Sequence, residues 1–345
     1  MIHSPVPVLE CVPNFSEGRD PEKIAAIAAA IRAVPGVALL HIDTSAAANR
    51  TVMTFAGAPQ AVTDAAFAAI QKAAEVIDMT TQEGVHPRIG ATDVCPLVPL
   101  QGLTMEAANA YAQQLGERVG TTLGIPVYLY EHSAKNEHRR ALPDIRKGQY
   151  EGFAEKIKLP EWAPDYGPLV FTPSSGATVI GARDILVAFN ISLDTKDVSI
   201  ANAIAAQLRT RGSIRIENGQ TIKVPGLLPK TRAIGWYMAD YEQAQVSLNL
   251  LDYRITSPLQ AFEACKNLAE QMGITIAGSE VIGLIPETCL LEAGVFSMMK
   301  KGNAVAQEQE LQIHEAIRYM GLDRLKPFEA QERVLEYNLR RHLPR

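Results

Sequence analysis

The chain has 345 residues, 47% of them hydrophobic and 21% charged, with a formal net charge of −5. That length favours two domains or one large one and can bury a sizeable core. The composition argues against disorder, the charge against non-specific nucleic-acid binding, and no apolar run approaches the ~20 residues of a membrane-spanning helix.

The N-terminal stretch MIHSPVPVLECVPNF lacks the basic-then-apolar layout of a signal peptide, so the expected compartment is cytoplasmic. Val6 to Val12 reads as a short strand. Asp20-Pro21 then opens a helix that runs to Ile31 and stops at Pro35-Gly36, with Asp as cap and Pro in the first turn. Val37 to Ile42 and Thr51 to Phe55 read as strands. Pro59 starts a second helix, with Val62, Ala66, Ala69, Ala73 and Ile77 at helical spacing. A strand from Val94 to Leu100, a helix from about Thr104 to Val119 and a strand from Pro126 to Tyr130 complete the half.

Leu142 to Gly181 shows little periodicity and is rich in Pro and Gly; so long a structureless connection points to function or a linker. The second half repeats the earlier order. Ile185 to Phe189 is a strand, and Asp194 caps a helix to about Leu208. Strands at Ile234–Met238 and Val246–Leu250 follow, then a helix begun by Ser257-Pro258 and a strand from Val281 to Ile285. Asn14-Phe15-Ser16 and Asn190-Ile191-Ser192 form a faint echo of duplication. This βαββαβ order predicts an α+β fold: two ferredoxin-like subdomains with sheets facing each other and helices outside. The expected boundaries are 1–181, 182–325 and a C-terminal tail at 326–345.

The densest cluster of chemistry is Glu83-Gly84-Val85-His86-Pro87-Arg88-Ile89-Gly90-Ala91-Thr92-Asp93-Val94-Cys95-Pro96, a loop leading into a strand. Pro87 restricts His86 to an extended conformation, and an imidazole held there both accepts and donates a proton near neutral pH. Read alone, His86 fits a surface loop histidine better. No metal is expected: His41, His86, His132 and His138 show no ligand spacing. Cys95 as a nucleophile beside His86 would make a hydrolase, although the four cysteines (Cys11, Cys95, Cys265, Cys289) form no CxxC pair and read as buried thiols. Phosphate-binding glycine motifs are absent from the sequence. Asp43 stands at the end of the second strand and Asn49-Arg50 lie just before the third; a turn cap, a left-handed Asn and a solvated Arg describe them in isolation.

Together the segments ECVPNFSEG (Glu10 to Gly18), NRTVMTFAG (Asn49 to Gly57), HPRIGATDVCP (His86 to Pro96), PVYLY (Pro126 to Tyr130), APDYGP (Ala163 to Pro168), GATVIGAR (Gly176 to Arg183) and IGWYM (Ile234 to Met238) resemble the glutamate formimidoyltransferase family. The likeness runs from Glu10 to about Tyr337 and covers the transferase half of the bifunctional formimidoyltransferase-cyclodeaminase. It implies a monofunctional, homodimeric transferase that passes a formimino group from N-formimino-L-glutamate to N5 of tetrahydrofolate in histidine breakdown, with tetrahydrofolate as co-substrate and a separate cyclodeaminase.

The same resemblance places the catalytic histidine at His86 and the folate-binding segment at Gly167, Pro168, Leu169, Val170, Phe171, Thr172, Pro173, Ser174, Ser175 and Gly176. Leu169-Val170 replaces a commoner serine-rich pair, and Ser175 stands where an aromatic residue also occurs. Asp43 is the expected orienter of His86, as a carboxylate is in triads. Arg50, Arg88 and Arg183 are the expected ligands of substrate carboxylates. Because both substrates are polyanions, a basic channel is expected, drawn from Arg19, Arg50, Arg88, Arg139, Arg140 and Arg183. Competing readings are an N-formyl-L-glutamate-dependent transferase and a non-catalytic folate-binding protein.

Overall fold

Asp20 opens the first helix, α1 (Pro21–Arg32), as expected: its carboxylate accepts from the Glu22 and Lys23 amides, and Pro21 fills the first turn. The computed structural model describes residues 6–217 and 220–343. The chain divides into two compact units, the first running to Asp184 and the second from Ile185 to Arg341.

In the first unit the expected opening strand is broken into β1 (Leu9–Cys11) and β2 (Asn14–Phe15) around Val12-Pro13, since proline has no amide for the ladder. β3 (Val37–Ser45), β4 (Arg50–Gly57), α2 (Pro59–Val76), β5 (Thr92–Pro99), α3 (Met105–Arg118) and β6 (Val127–Leu129) follow in the predicted order. Both β1 and β2 lie between β4 and β5, and β3 pairs with the outer edge of β4.

The aperiodic stretch differs most from expectation. It holds two short helices, α4 (Leu142–Arg146) and α5 (Gln149–Lys156), and a strand, β7 (Thr178–Ala182). β7 inserts between β5 and β6, parallel to both, with Val179 beside Val94 on one side and Tyr128 on the other.

Side-chain alternation along these strands builds two cores. Cys95, Leu97, Val127, Leu129, Ile180 and Ala182 join the main core that also contains α1, α2 and α3 residues. Val94, Tyr128, Tyr130 and Val179 point the other way, onto Ile145 of α4 and Phe153 of α5. Helices therefore cover both faces of the β5–β7–β6 part of this sheet, a correction to the expectation of helices on one side only.

The second unit contains β8 (Val187–Leu193), α6 (Val198–Leu208), a hairpin of β9 (Ser213–Glu217) and β10 (Gln220–Val224), β11 (Thr231–Met238), β12 (Gln243–Leu250), α7 (Pro258–Gln271) and β13 (Ile276–Ile282). The four-stranded sheet has the order β11-β12-β8-β13, every neighbour antiparallel. Asp197 rather than Asp194 caps α6 through the Ser199 amide. Ser257 and Gln260 form a reciprocal capping box on α7. Asn190 falls mid-strand, so the Asn-x-Ser echo does not mark equivalent points of the two units.

Two helices missed in the sequence, α8 (Glu287–Lys300) and α9 (Gln309–Met320), complete the second core through Leu290, Ala293, Ile313 and Ala316. The chain from 326 to 341 is part of this unit and not a separate tail. Val334 is fully buried and bridges to Ile285.

Candidate active site

Strand directions in the first unit gather the motifs at one end of its sheet. Ser45 pairs with Arg50, Thr51 with Phe15, and Phe15 with Thr92, so the β3–β4 turn, the start of β5 and the start of β7 share that end. The ECVPNFSEG motif builds the platform. Ser16 Oγ donates to Gly90 O at 2.7 Å, and Thr51 Oγ1 donates to Glu17 O at 2.6 Å. Gly18 leaves no room for a side chain: a Cβ there would lie 2.5 Å from the Arg50 nitrogen.

Asn49 is the clasp of the histidine loop. It adopts the left-handed conformation (φ 47°), which asparagine tolerates better than most residues. From there its Oδ1 accepts from Gly18 N at 2.9 Å, and its Nδ2 donates to Glu83 O at 2.7 Å. Gln82 Nε2 returns a bond to Asn49 O at 3.1 Å. The chain on the N-terminal side of His86 is thereby tied to the β3–β4 turn.

On the other side of His86, Arg88 is buried and engaged. Its Nε donates to Gln82 Oε1 at 2.7 Å, its Nη2 to Gln82 O at 3.0 Å, and its two terminal nitrogens grip Glu151 of α5 at 3.0 and 2.7 Å. A guanidinium with four of its donors so occupied serves the loop. Asp93, 1% exposed at the start of β5, accepts from Ile89 N at 3.0 Å and pairs with Arg146 of α4.

His86 itself is half-buried. Burial first, then the positive charges of Arg50, Arg146 and Arg88, hold its imidazole well below the ordinary histidine range, against a hydrogen bond to the Pro87 backbone that favours the protonated ring. The ring is thus neutral near pH 7. Asp43, buried near the end of β3, lies 3.8 Å from His41 Nε2 through Oδ2, on the same end of the sheet.

The Gly167–Gly176 segment ends against this loop. Met79 N donates to Ser174 O at 2.9 Å, Ala91 N to Ser175 O at 2.8 Å, and Ala177 N to Ile89 O at 3.0 Å. Tyr150 links the pieces: its amide donates to Arg88 O at 2.9 Å and its hydroxyl to Pro173 O at 2.7 Å. The segment begins elsewhere, with Gly167 (φ 86°) seated against Gly120 and Ile125. Between these anchors Leu169 and Val170 are 60% and 63% exposed, and Phe171 packs near Tyr150 and Phe153.

Several expected partners lie elsewhere. Arg183 follows β7, five residues beyond its start, which is about 16 Å along the strand from the His86 end. It donates to Asp184 O and bonds the Tyr130 hydroxyl. Arg139 is buried and held by Ala163 O and Asp165, and Arg140 pairs with Glu137. Of the channel candidates, Arg19 and Arg50 sit with Arg88 at the His86 end, Arg19 through its bond to Ala46 O. Cys95 points into the main core with its Sγ 3.5 Å from Cys11 Sγ, an inert position for a nucleophile.

Comparison with known proteins decides the family. A model described as the formiminotransferase domain, N-terminal subdomain, matches residues 8–183, and one described as the formiminotransferase domain matches 188–340. This chain belongs to the formiminotransferase family. The glutamate formimidoyltransferase of Streptococcus pyogenes serotype M1 is 41% identical over 289 residues, 84% of this chain and 92% of that protein. That of Thermoplasma acidophilum is 40% identical, covering 86% and 93%. The formimidoyltransferase-cyclodeaminase of Sus scrofa is 44% identical over 96% of this chain, which spans 59% of that relative.

In this formiminotransferase chain the residues that sequence reasoning missed are mostly supports. Asp93 had a signal, since a carboxylate opening an apolar strand needs a partner when buried. Arg146, Tyr150 and Glu151 had none, because no local pattern links them to His86. Another missed group is a polar cluster on the second unit's sheet. The Glu280 carboxylate there accepts from Asn190, Gln245 and Tyr241, and Gln245 also bonds Ser192 and Trp236.

Proposed function

We propose that this chain transfers the formimino group of N-formimino-L-glutamate to N5 of tetrahydrofolate, giving 5-formimidoyltetrahydrofolate and L-glutamate, in histidine degradation. The observation that carries this reading is the place of His86: beside Arg88, in a loop bonded directly to the Ser175–Ala177 backbone, with its imidazole held below the ordinary histidine range by burial and nearby cations. N5 attacks the formimino carbon and gives a tetrahedral species, from which the glutamate nitrogen departs. The attacking nitrogen loses a proton and the leaving one gains a proton. A neutral His86 takes the first; once protonated among arginines, it is a stronger acid than free imidazolium and returns it readily. Arg50 and Arg19, at the same end of the sheet, fit the role of drawing in dianionic donor and anionic folate. Asp43 is the proposed orienter of the ring.

The order βαββαβ and the strand sequence β11-β12-β8-β13 support a ferredoxin-like reading of the second unit. A homodimer in the cytoplasm completes the reading. An assay with tetrahydrofolate and each donor, formimino and formyl, tests it. The expected result is transfer from the formimino donor, reduced roughly 10²–10⁴-fold in His86→Ala. Folate binding without transfer from either donor would make the chain a binding protein instead.

A further inference from the structure

The loop that carries His86 is gripped by two ion pairs running in opposite directions. Arg88 reaches out of the loop to Glu151 on α5, while Arg146 reaches in from α4 to Asp93. Asp93 divides its carboxylate between Arg146 and the amide of Ile89, three residues after His86. Arg146 is itself braced. Ile145 beside it is buried in the α4–α5 core, and Lys156 Nζ donates to the carbonyls of Asp144, Ile145 and Lys147 at 2.9, 2.6 and 3.1 Å, closing the end of α4.

Resting on the transferase reading above, we propose that Arg146 is a positioning residue for the reaction: through Asp93 it fixes the turn that presents His86. The fixed charges around the ring are Arg50 on β4, Arg88 in the loop and Arg146 on α4. Asp93 on β5 and Glu151 on α5 serve as the arginines' partners, Glu83 lies exposed in the same loop, and His41 and Asp43 stand on β3. Of the three cations, Arg146 alone sits on a helix outside the sheet and its loops, in a stretch where the sequence shows no periodic element. It reaches the His86 turn from there through Asp93, without being a neighbour in the chain.

The test combines a pH–rate profile with an NMR titration of the His86 ring in the full chain. In Arg146→Gln, kcat/KM should fall about 10-fold or more. The acid limb and the ring's titration midpoint should both move to higher pH, because a repelling cation has gone. Arg146→Lys, which keeps the charge but not the fork, should lose turnover while its acid limb stays near that of the wild type. Since Arg146→Gln leaves Asp93 buried without its cation, Arg146→Gln/Asp93→Asn supplies a second variant without that orphan; the same loss of turnover is expected there, with a smaller displacement of the midpoint because cation and anion leave together. A folded Arg146→Gln whose kcat/KM and pH–rate profile both match the wild type overturns the proposal. Wild-type inactivity with both donors would sink the transferase reading instead, and the ring titration still reads the charge of Arg146 on His86.

Discussion

Gly90 and Gly176 meet backbone to backbone: a Cβ on Gly176 would lie 2.7 Å from the Gly90 Cα, and one on Gly90 would lie 2.7 Å from Ser175 O. This isolated antiparallel bridge joins the histidine loop to the end of the 167–176 segment. Gly176 also has φ 66°, where a side chain is strained whatever the space. Gly176→Ala should therefore destabilise the chain by more than about 2 kcal/mol, from strain and overpacking together. Gly124→Ala is the control, since Gly124 has a similar φ of 64° and nothing within 4 Å of its Cβ. Thermal melts should show a clearly smaller loss for Gly124→Ala; equal losses would mean that the close approach contributes nothing.

How much of this was legible follows from what each feature depends on. Helices α1, α2 and α7 announce themselves by caps and spacing, which are local properties. Asn49 reads as a left-handed turn residue from its type alone, but its two bonds to Gly18 and Glu83 depend on which strands are neighbours. β7 is five residues long and follows a Pro- and Gly-rich run, so its place between β5 and β6 is decided by pairing partners far away in sequence. For the same reason the engagement of Arg88 within the fold is not legible beside His86. The carboxylate it pairs with, Glu151, is 63 residues away.

Arg88→Lys should lower kcat more than it raises the KM for the donor. Lysine keeps a charge but loses the fork that ties Gln82 to Glu151, so the loop loosens while substrate charge recognition elsewhere persists. Arg88→Ala goes further. Glu151 is largely exposed and tolerates the loss, yet the emptied site leaves the Gln82 groups unpaired, and a fall in melting temperature is expected. A rise in donor KM alone, with kcat intact, would return Arg88 to the role of carboxylate ligand.

Asp43→Asn tests whether the carboxylate on β3 orients His86. The substitution preserves shape and removes charge, so folate affinity should change little while turnover drops by an order of magnitude or more. Steady-state kinetics together with a folate titration separates the two effects, and unchanged turnover would remove Asp43 from the mechanism.

Leu169 and Val170 form an apolar ledge between the anchored ends of the proposed folate segment. Their exposure is costly to leave unused, since each side chain gains about 1.5–3 kcal/mol when fully buried. Leu169→Ser and Val170→Ser should raise the KM for tetrahydrofolate several-fold, with the KM for the donor unchanged and the melting temperature within a degree or two of the wild type. Equal effects on both substrates would place the ledge outside the folate site.

The depressed His86 pKa also sets an acid limit on stability. The unfolded histidine titrates near 6.5, whereas the folded ring resists protonation to lower pH. Between those two points the unfolded chain binds the extra proton, so folding stability falls as pH drops below about 6.5 and flattens only below the folded pKa. Above 6.5 both states hold a neutral ring and His86 contributes no pH dependence. His86→Gln cannot be protonated and removes this contribution. Urea melts at pH 7.5 and 5.5 should show a smaller loss of stability for His86→Gln than for the wild type, while catalysis in the variant stays low at both pH values. An identical loss in the two proteins would mean that the ring is not held neutral in the fold. The arginine cluster would then act on substrate alone and not on the proton carrier.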